Sequence, residues 1–132
     1  METWEKMYQA AKAVQNDRRI SEYIEAGGVA AAVLSGSGKI YTGVCIDTCS
    51  TLGICAERNA ISHAVAEGHT RFRRIVIAGQ GEDFCTPCGI CRQVMREFAP
   101  ELEVICLNGA GEERSFTLPE LLPHSFGPEF LE

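Results

Sequence analysis

Long apolar runs are missing from this 132-residue chain. No stretch approaches the roughly 20 apolar residues that cross a bilayer, which excludes a membrane-spanning helix. The opening residues Met1-Glu2-Thr3-Trp4-Glu5-Lys6 are charged and lack the apolar segment of a secretory signal. Positive charge is also in deficit. Twelve Lys and Arg face eighteen Asp and Glu, leaving a formal charge of −6. Such a surface repels phosphate backbones and argues against nonspecific nucleic-acid binding. The local basic run of Arg71, Arg73 and Arg74 reads as a solvated loop between a helix and a strand. Histidine is scarce. His69 and His124 fall in loops without a motif, and His63 reads as a helix-side or core residue rather than a ligand. Repeats, low-complexity tracts and linkers are absent as well.

Cysteine, by contrast, is plentiful, with seven in the chain. In a reducing compartment, clustered thiols more often mean metal or catalysis than disulfides. The expected location is therefore the cytoplasm. The length fits one domain over residues 1–132, and the 45% apolar fraction supplies a core.

Periodicity organises the rest. Trp4, Met7, Tyr8, Ala11 and Val14 mark one face of an amphipathic helix, with Thr3 as its cap. Residues 16–28 are polar, end in Gly27-Gly28, and read as a loop. Residues 29–34 form a short apolar run suited to a buried strand. Ser35-Gly36-Ser37-Gly38 turns the chain into a second strand over 39–46, making a hairpin. A loop over 48–53 leads to a helix over 55–67 that closes at Gly68. A strand over 75–78, a loop over 79–86, and a helix opened by Pro87 and stopped by Pro100 follow. A strand over 104–107, a turn, a weak fifth strand at Phe116 and a short helix over 118–122 complete the chain. The order predicts an α/β protein: a three-layer α/β/α sandwich around a mixed five-stranded sheet. Cys49 and Cys106 read as small buried hydrophobes.

The most informative residues are Cys55-Ala56-Glu57-Arg58 and, further on, Pro87-Cys88-Gly89-Ile90-Cys91. Cys55, Cys88 and Cys91 can hold one zinc ion and leave its fourth position open. Each group of thiols starts a predicted helix, where the partial positive charge of the helix end favours the thiolate. Three thiolates leave the site net negative even with zinc bound. Arg58 can compensate by donating to a ligand sulfur. Zinc brings the pKa of water from about 16 toward roughly 7. Glu57 can take that proton, pass it to N3 of a pyrimidine as hydroxide attacks C4, and later protonate the departing amine. Ala56 adds almost no bulk, so a base ring can approach. A closed four-cysteine site using Cys85 is the alternative arrangement, and it leaves Glu57 and Arg58 without a reason. An iron–sulfur site would require a further Cys-Pro downstream, which the chain lacks.

The ordered set Cys-Ala-Glu and Pro-Cys-x-x-Cys is the three-cysteine form of the zinc-dependent base-deaminase signature. On these residues the chain resembles the cytidine deaminase family. Gly38-Lys39-Ile40-Tyr41-Thr42-Gly43, Cys91-Arg92-Gln93-Val94, Glu120-Leu121-Leu122-Pro123 and Phe126-Gly127-Pro128-Glu129 are similar to further family segments, so the likeness spans residues 29–131. It implies a cytidine deaminase-like fold, one Zn2+ per subunit, and a homotetramer (or homodimer) in which subunits complete one another's pockets. The residue matching Phe126 is implied to pack on a neighbouring subunit's substrate. From the residues alone, Phe126 and Phe130 equally suit a core. The family's Asn-x-Glu, which holds the ribose, is here Cys45-Ile46-Asp47. A thiol cannot replace an amide's donor and acceptor pair.

The resemblance implies hydrolytic deamination of a cytosine-type free nucleoside, a step of pyrimidine salvage, with no nucleic-acid or membrane partner. The alternative is deamination of blasticidin S or another modified cytosine compound. A structural zinc module is a further class, and so is polynucleotide editing, which would require a basic, aromatic-lined groove.

Overall fold

Strands that are apolar without interruption need cover on both faces, and the helices of this chain provide it. The structure, a computed structural model, describes residues 3–131. In chain order the elements are α1 (Thr3–Val14), β1 (Arg18–Ser21), β2 (Ile24–Ser35), β3 (Ile40–Asp47), α2 (Ala56–Ala66), β4 (Phe72–Ala78), α3 (Gly89–Phe98), β5 (Glu103–Leu107), β6 (Glu113–Thr117) and α4 (Leu118–Leu121). A short 3-10 turn over Pro128–Phe130 follows.

The long strand β2 organises the sheet. One of its edges pairs antiparallel with β3 from Glu25↔Asp47 to Leu34↔Ile40. Its other edge pairs first with β1, through Arg18↔Ala26, and then antiparallel with β4, from Ala30↔Ala78 onward. Strand β5 lies parallel to β4, and β6 closes the sheet antiparallel to β5. The β4–β5 pair is parallel because α3 carries the chain back across one face.

Alternation along the strands divides the core into two layers. Ala30, Ala32, Leu34, Val76, Ala78, Ile105 and Leu107 point to one face and meet Met7 and Ala11 of α1. Ala31, Val33, Ile75, Ile77, Val104 and Cys106 point to the other and meet Ala60 and Ala64 of α2, Met95 of α3 and Leu118 of α4. This is the expected three-layer sandwich, with a mixed sheet.

The sheet has six strands rather than five. The extra strand β1, and the first residues of β2, lie where the polar composition suggested a loop. Pairing with β3 and β1 satisfies that backbone despite its poor strand propensity. Gly27 sits at φ +89, and the register shifts between Ala26 and Ala30, so the glycines mark a bulge inside a strand rather than a turn. Two smaller corrections concern ends. Thr3 is the first residue of α1 and not its cap. Arg73 and Arg74 belong to β4, where the Arg74 guanidinium pairs with Glu103 on the parallel neighbour.

Gly43 on β3 fixes how closely α2 approaches the sheet. A Cβ placed there would lie 2.3 Å from the Ala60 backbone nitrogen and 2.9 Å from the Ala56 carbonyl. These are backbone atoms, so a methyl group must displace the helix. Gly43→Ala is expected to destabilise the protein by about 1–3 kcal/mol, and to lower activity further by shifting the start of α2. Urea unfolding checks it, and a midpoint equal to wild type would refute the close packing.

Candidate metal and active site

Two strands deliver two helix starts to one place. Beyond Asp47 the chain loops and returns to β3, where Ile46 and Ile54 exchange backbone hydrogen bonds of 2.9 and 3.0 Å. Cys55 then caps α2 in extended geometry, φ −74 and ψ 154. Beyond β4 the chain reaches Pro87, and Cys88 caps α3 at φ −68 and ψ 169. Neither sulfur is consumed in capping its helix. The Cys55 and Cys88 Sγ atoms lie 3.5 Å apart. With Cys91, one turn into α3, all three sulfurs fall within 4.8 Å of one another.

This donor set fits zinc. Zn–S bonds of about 2.3 Å in tetrahedral geometry imply sulfur separations of about 3.8 Å. Three thiolates packed this closely would repel one another, and a divalent cation resolves that repulsion. The sulfurs are reached from one side by Arg58, whose Nη2 lies 3.7 Å from Cys55 Sγ. Among the described residues the metal-binding cluster comprises Cys55, Cys88 and Cys91, and Cys85 lies outside it. The closed four-cysteine alternative therefore finds no support in the geometry.

Burial separates the ionisable groups. Desolvation lifts the Cys91 thiol strongly, with the nearby Glu57 charge adding to it and Arg58 opposing it. Desolvation also lifts Cys55, and Arg58 opposes it. At Cys88, desolvation is outweighed by the Cys91 backbone amide, the neighbouring Cys55 and Cys91 thiols and the Ile90 amide together, so its thiol lies below the ordinary value. Glu57 is only 4% exposed in the first turn of α2. Burial raises its carboxyl above the usual carboxylate range, while its own backbone amide, Cys91 and Arg58 pull the other way. A carboxyl raised in this way holds a proton more readily than an ordinary exposed one, as a proton-transfer group must. Cys106, by contrast, is fully buried, and desolvation pushes its thiol up to about 12, as a core residue. Cys49 is exposed, contrary to its expected burial, because its loop packs nothing over it.

In front of the thiols lies a cavity of about 380 Å³. Ala56, Glu57 and Arg58 line it from the start of α2, and Cys45 and Asp47 line it from β3. The Cys45 sulfur accepts a hydrogen bond from the Val29 N–H at 3.3 Å. Thr86, Ile90 and Leu52 also line the cavity and were not anticipated from the sequence. For Thr86 and Ile90 the signal was adjacency to Pro87 and to the two thiols of α3. Leu52 gave none, since a single exposed leucine in a loop carries no pattern. Phe126 stands apart from this cavity. It is 53% exposed and stacks on Phe130 with ring centroids 5.6 Å apart, so neither ring belongs to the core. His63 lies on α2 with Nδ1 3.1 Å from the Thr42 carbonyl, a helix-side contact. Among the described residues no helix is long and apolar enough to cross a membrane.

Comparisons with known proteins agree with this geometry. Residues 1–107 match the family model for the cytidine and deoxycytidylate deaminase zinc-binding region. A probable cytidine deaminase of Dictyostelium discoideum is 43% identical over 105 residues, covering 78% of this chain and 71% of that protein. A cytidine deaminase of Sporosarcina psychrophila is 36% identical over 105 residues, covering 78% and 77%. Among solved structures, the cytidine deaminase of Burkholderia pseudomallei superposes with a TM-score of 0.80 at 34% identity, covering 92% of this chain and 98% of that one. That of Mycobacterium leprae gives 0.72 at 29% identity, covering 94% and 100%.

Proposed function

We propose, from the premise that the chain belongs to the cytidine and deoxycytidylate deaminase family, that Cys55, Cys88 and Cys91 hold its zinc and that Glu57 moves the protons of the reaction. The protein is a zinc-dependent hydrolase that converts a cytosine-type nucleoside and water to the uracil compound and ammonia. The observation that carries the residue assignment is the convergence of three sulfurs within 4.8 Å, with Cys55 and Cys88 on the wall of a cavity that also holds a buried carboxylate.

Zinc, when bound, supplies the Lewis acidity that makes water nucleophilic at neutral pH. Glu57 accepts the proton that water gives up and delivers it to ring N3. It then takes the second proton, from the hydroxyl newly bonded to C4, and gives it to the departing amine as the C4–N bond breaks, so one carboxyl serves twice as base and twice as acid. Arg58 holds positive charge against the sulfurs and offsets their excess negative charge. Ala56, fully buried at the start of α2, leaves room for the ring. Cys45 and Asp47, which line the same cavity, are the residues this reading assigns to the sugar.

The reading extends to one domain over residues 1–132 acting in the cytoplasm as a homotetramer. Phe126 and Phe130, stacked and exposed, with Leu131 at 75% exposure beside them, favour burial against another subunit. There Phe126 would complete a neighbour's pocket.

Ammonia release from cytidine, deoxycytidine, free cytosine and blasticidin S tests the substrate class. Turnover of the two nucleosides is expected. Asp47→Ala is expected to lower kcat/KM for nucleosides by about tenfold or more, the scale of a lost hydrogen bond to a charged group, and to leave free cytosine nearly unchanged. Equal losses on both would remove Asp47 from sugar recognition.

A further inference from the structure

The helix that carries two of the sulfurs also grips the end of the chain. Gln93 Nε2 donates to the Phe126 carbonyl at 3.1 Å, and Arg96 Nε donates to Ser125 Oγ at 3.0 Å. Between these contacts and the sulfurs lies Arg92, next to Cys91. Its Nε donates to the Pro87 carbonyl at 2.7 Å, and its Nη1 donates to the Leu121 carbonyl, also at 2.7 Å. Among the described residues no carboxylate pairs with it. A half-buried guanidinium is thus spent on two neutral carbonyls.

Each carbonyl needs such a donor. Pro87 is fully buried just before Cys88, the cap of α3, where its carbonyl has no partner in the helix ladder. The Leu121 carbonyl stands at the open end of α4, among the groups that a short helix leaves unpaired. The peptide unit is rigid and planar, so fixing the Pro87 oxygen fixes the direction of the Cys88 N–Cα bond. A planar fork with two donors can hold two carbonyls at once, which an ammonium on a flexible stem does poorly.

We infer that Arg92 is a positioning residue for the metal centre: it clamps the Pro87–Cys88 peptide against the end of α4, so that this junction helps retain the metal. The inference rests on the assignment of Cys55, Cys88 and Cys91 as the zinc ligands. Groups that orient ligands without touching the metal typically change its affinity by about 10–100-fold.

The test is the rate at which the full-length protein gives up zinc to a chromophoric chelator, alongside its melting temperature. Arg92→Met is expected to release zinc at least about tenfold faster than wild type. Arg92→Lys, which keeps the charge and folds if the methionine variant does not, should fall between them. Arg96→Met, on the same helix but bonded only to the tail, should stay within about twofold of wild type, and so should the core variant Ile105→Val on the opposite face. Wild-type release from both Arg92 variants would overturn the inference. So would equal acceleration in Ile105→Val at a matched loss of melting temperature, because the effect would then be general loosening. Wild-type protein purified without zinc would instead overturn the ligand assignment beneath it.

Discussion

Replacing Glu57 by glutamine is expected to lower ammonia release from cytidine by about 10²–10⁴-fold, the range that a positioned proton-transfer group contributes. Zinc content and melting temperature should stay at wild-type values. Glutamine nearly matches the shape of the glutamate but cannot carry a proton between water and the ring. No other carboxylate can take over. Among the described residues lining the cavity, Asp47 is the sole other acid, and it comes from β3 rather than from the start of α2. Burial raises the Glu57 carboxyl, so the acid limb of the wild-type kcat/KM profile should lie above the ordinary carboxylate value. Activity is present above that limb, where the group is ionised, and is lost as pH falls through it. The limb should vanish in the residual activity of the variant. Undiminished turnover would remove Glu57 from the mechanism.

A second large effect is expected from Cys91→Ala. This thiol is fully buried in the first turn of α3 and belongs to both the sulfur cluster and the apolar layer above the sheet. Losing a direct ligand should weaken zinc binding by more than the roughly 100-fold upper range for indirect partners, and deamination should become undetectable. Binding to the folded state alone stabilises it. A chelator should therefore lower the wild-type melting temperature and leave that of the variant unmoved. Retention of one tightly bound zinc per chain by Cys91→Ala would show that the sulfur is not a ligand.

The site was more legible in the sequence than the edges of the fold. Cys55 and Cys88 announce their helices because a thiol, a small residue and an acid, or a proline and two thiols, stand where apolar periodicity begins. That places three sulfurs and one carboxylate before any tertiary contact is known. The segment from Arg18 to Gly28 hid its strands because it carries no alternation of its own. Its two strands pair with each other, and the second also pairs with β3, whose residues lie about twenty positions away. Arg73 and Arg74 concealed the start of β4 for a related reason, since the Arg74 charge is met by Glu103 on a strand not yet formed and Arg73 donates to the Ser35 carbonyl of β2. Cys45 could be placed on a strand, but its bond to the Val29 N–H depends on the register of β2 and β3, which composition does not specify. The clamp by Arg92 was invisible because both its acceptors are backbone carbonyls, a chemistry every residue shares.

The sheet also insulates. Helix α1 packs against one face through Met7 and Ala11, while the cysteine-bearing helices occupy the other. A full layer of hydrogen-bonded backbone lies between them, and it transmits little of what happens on the outer side. Substitutions along the exposed flank of α1 can therefore accumulate, recruit a binding partner or respond to a new environment while turnover proceeds undisturbed.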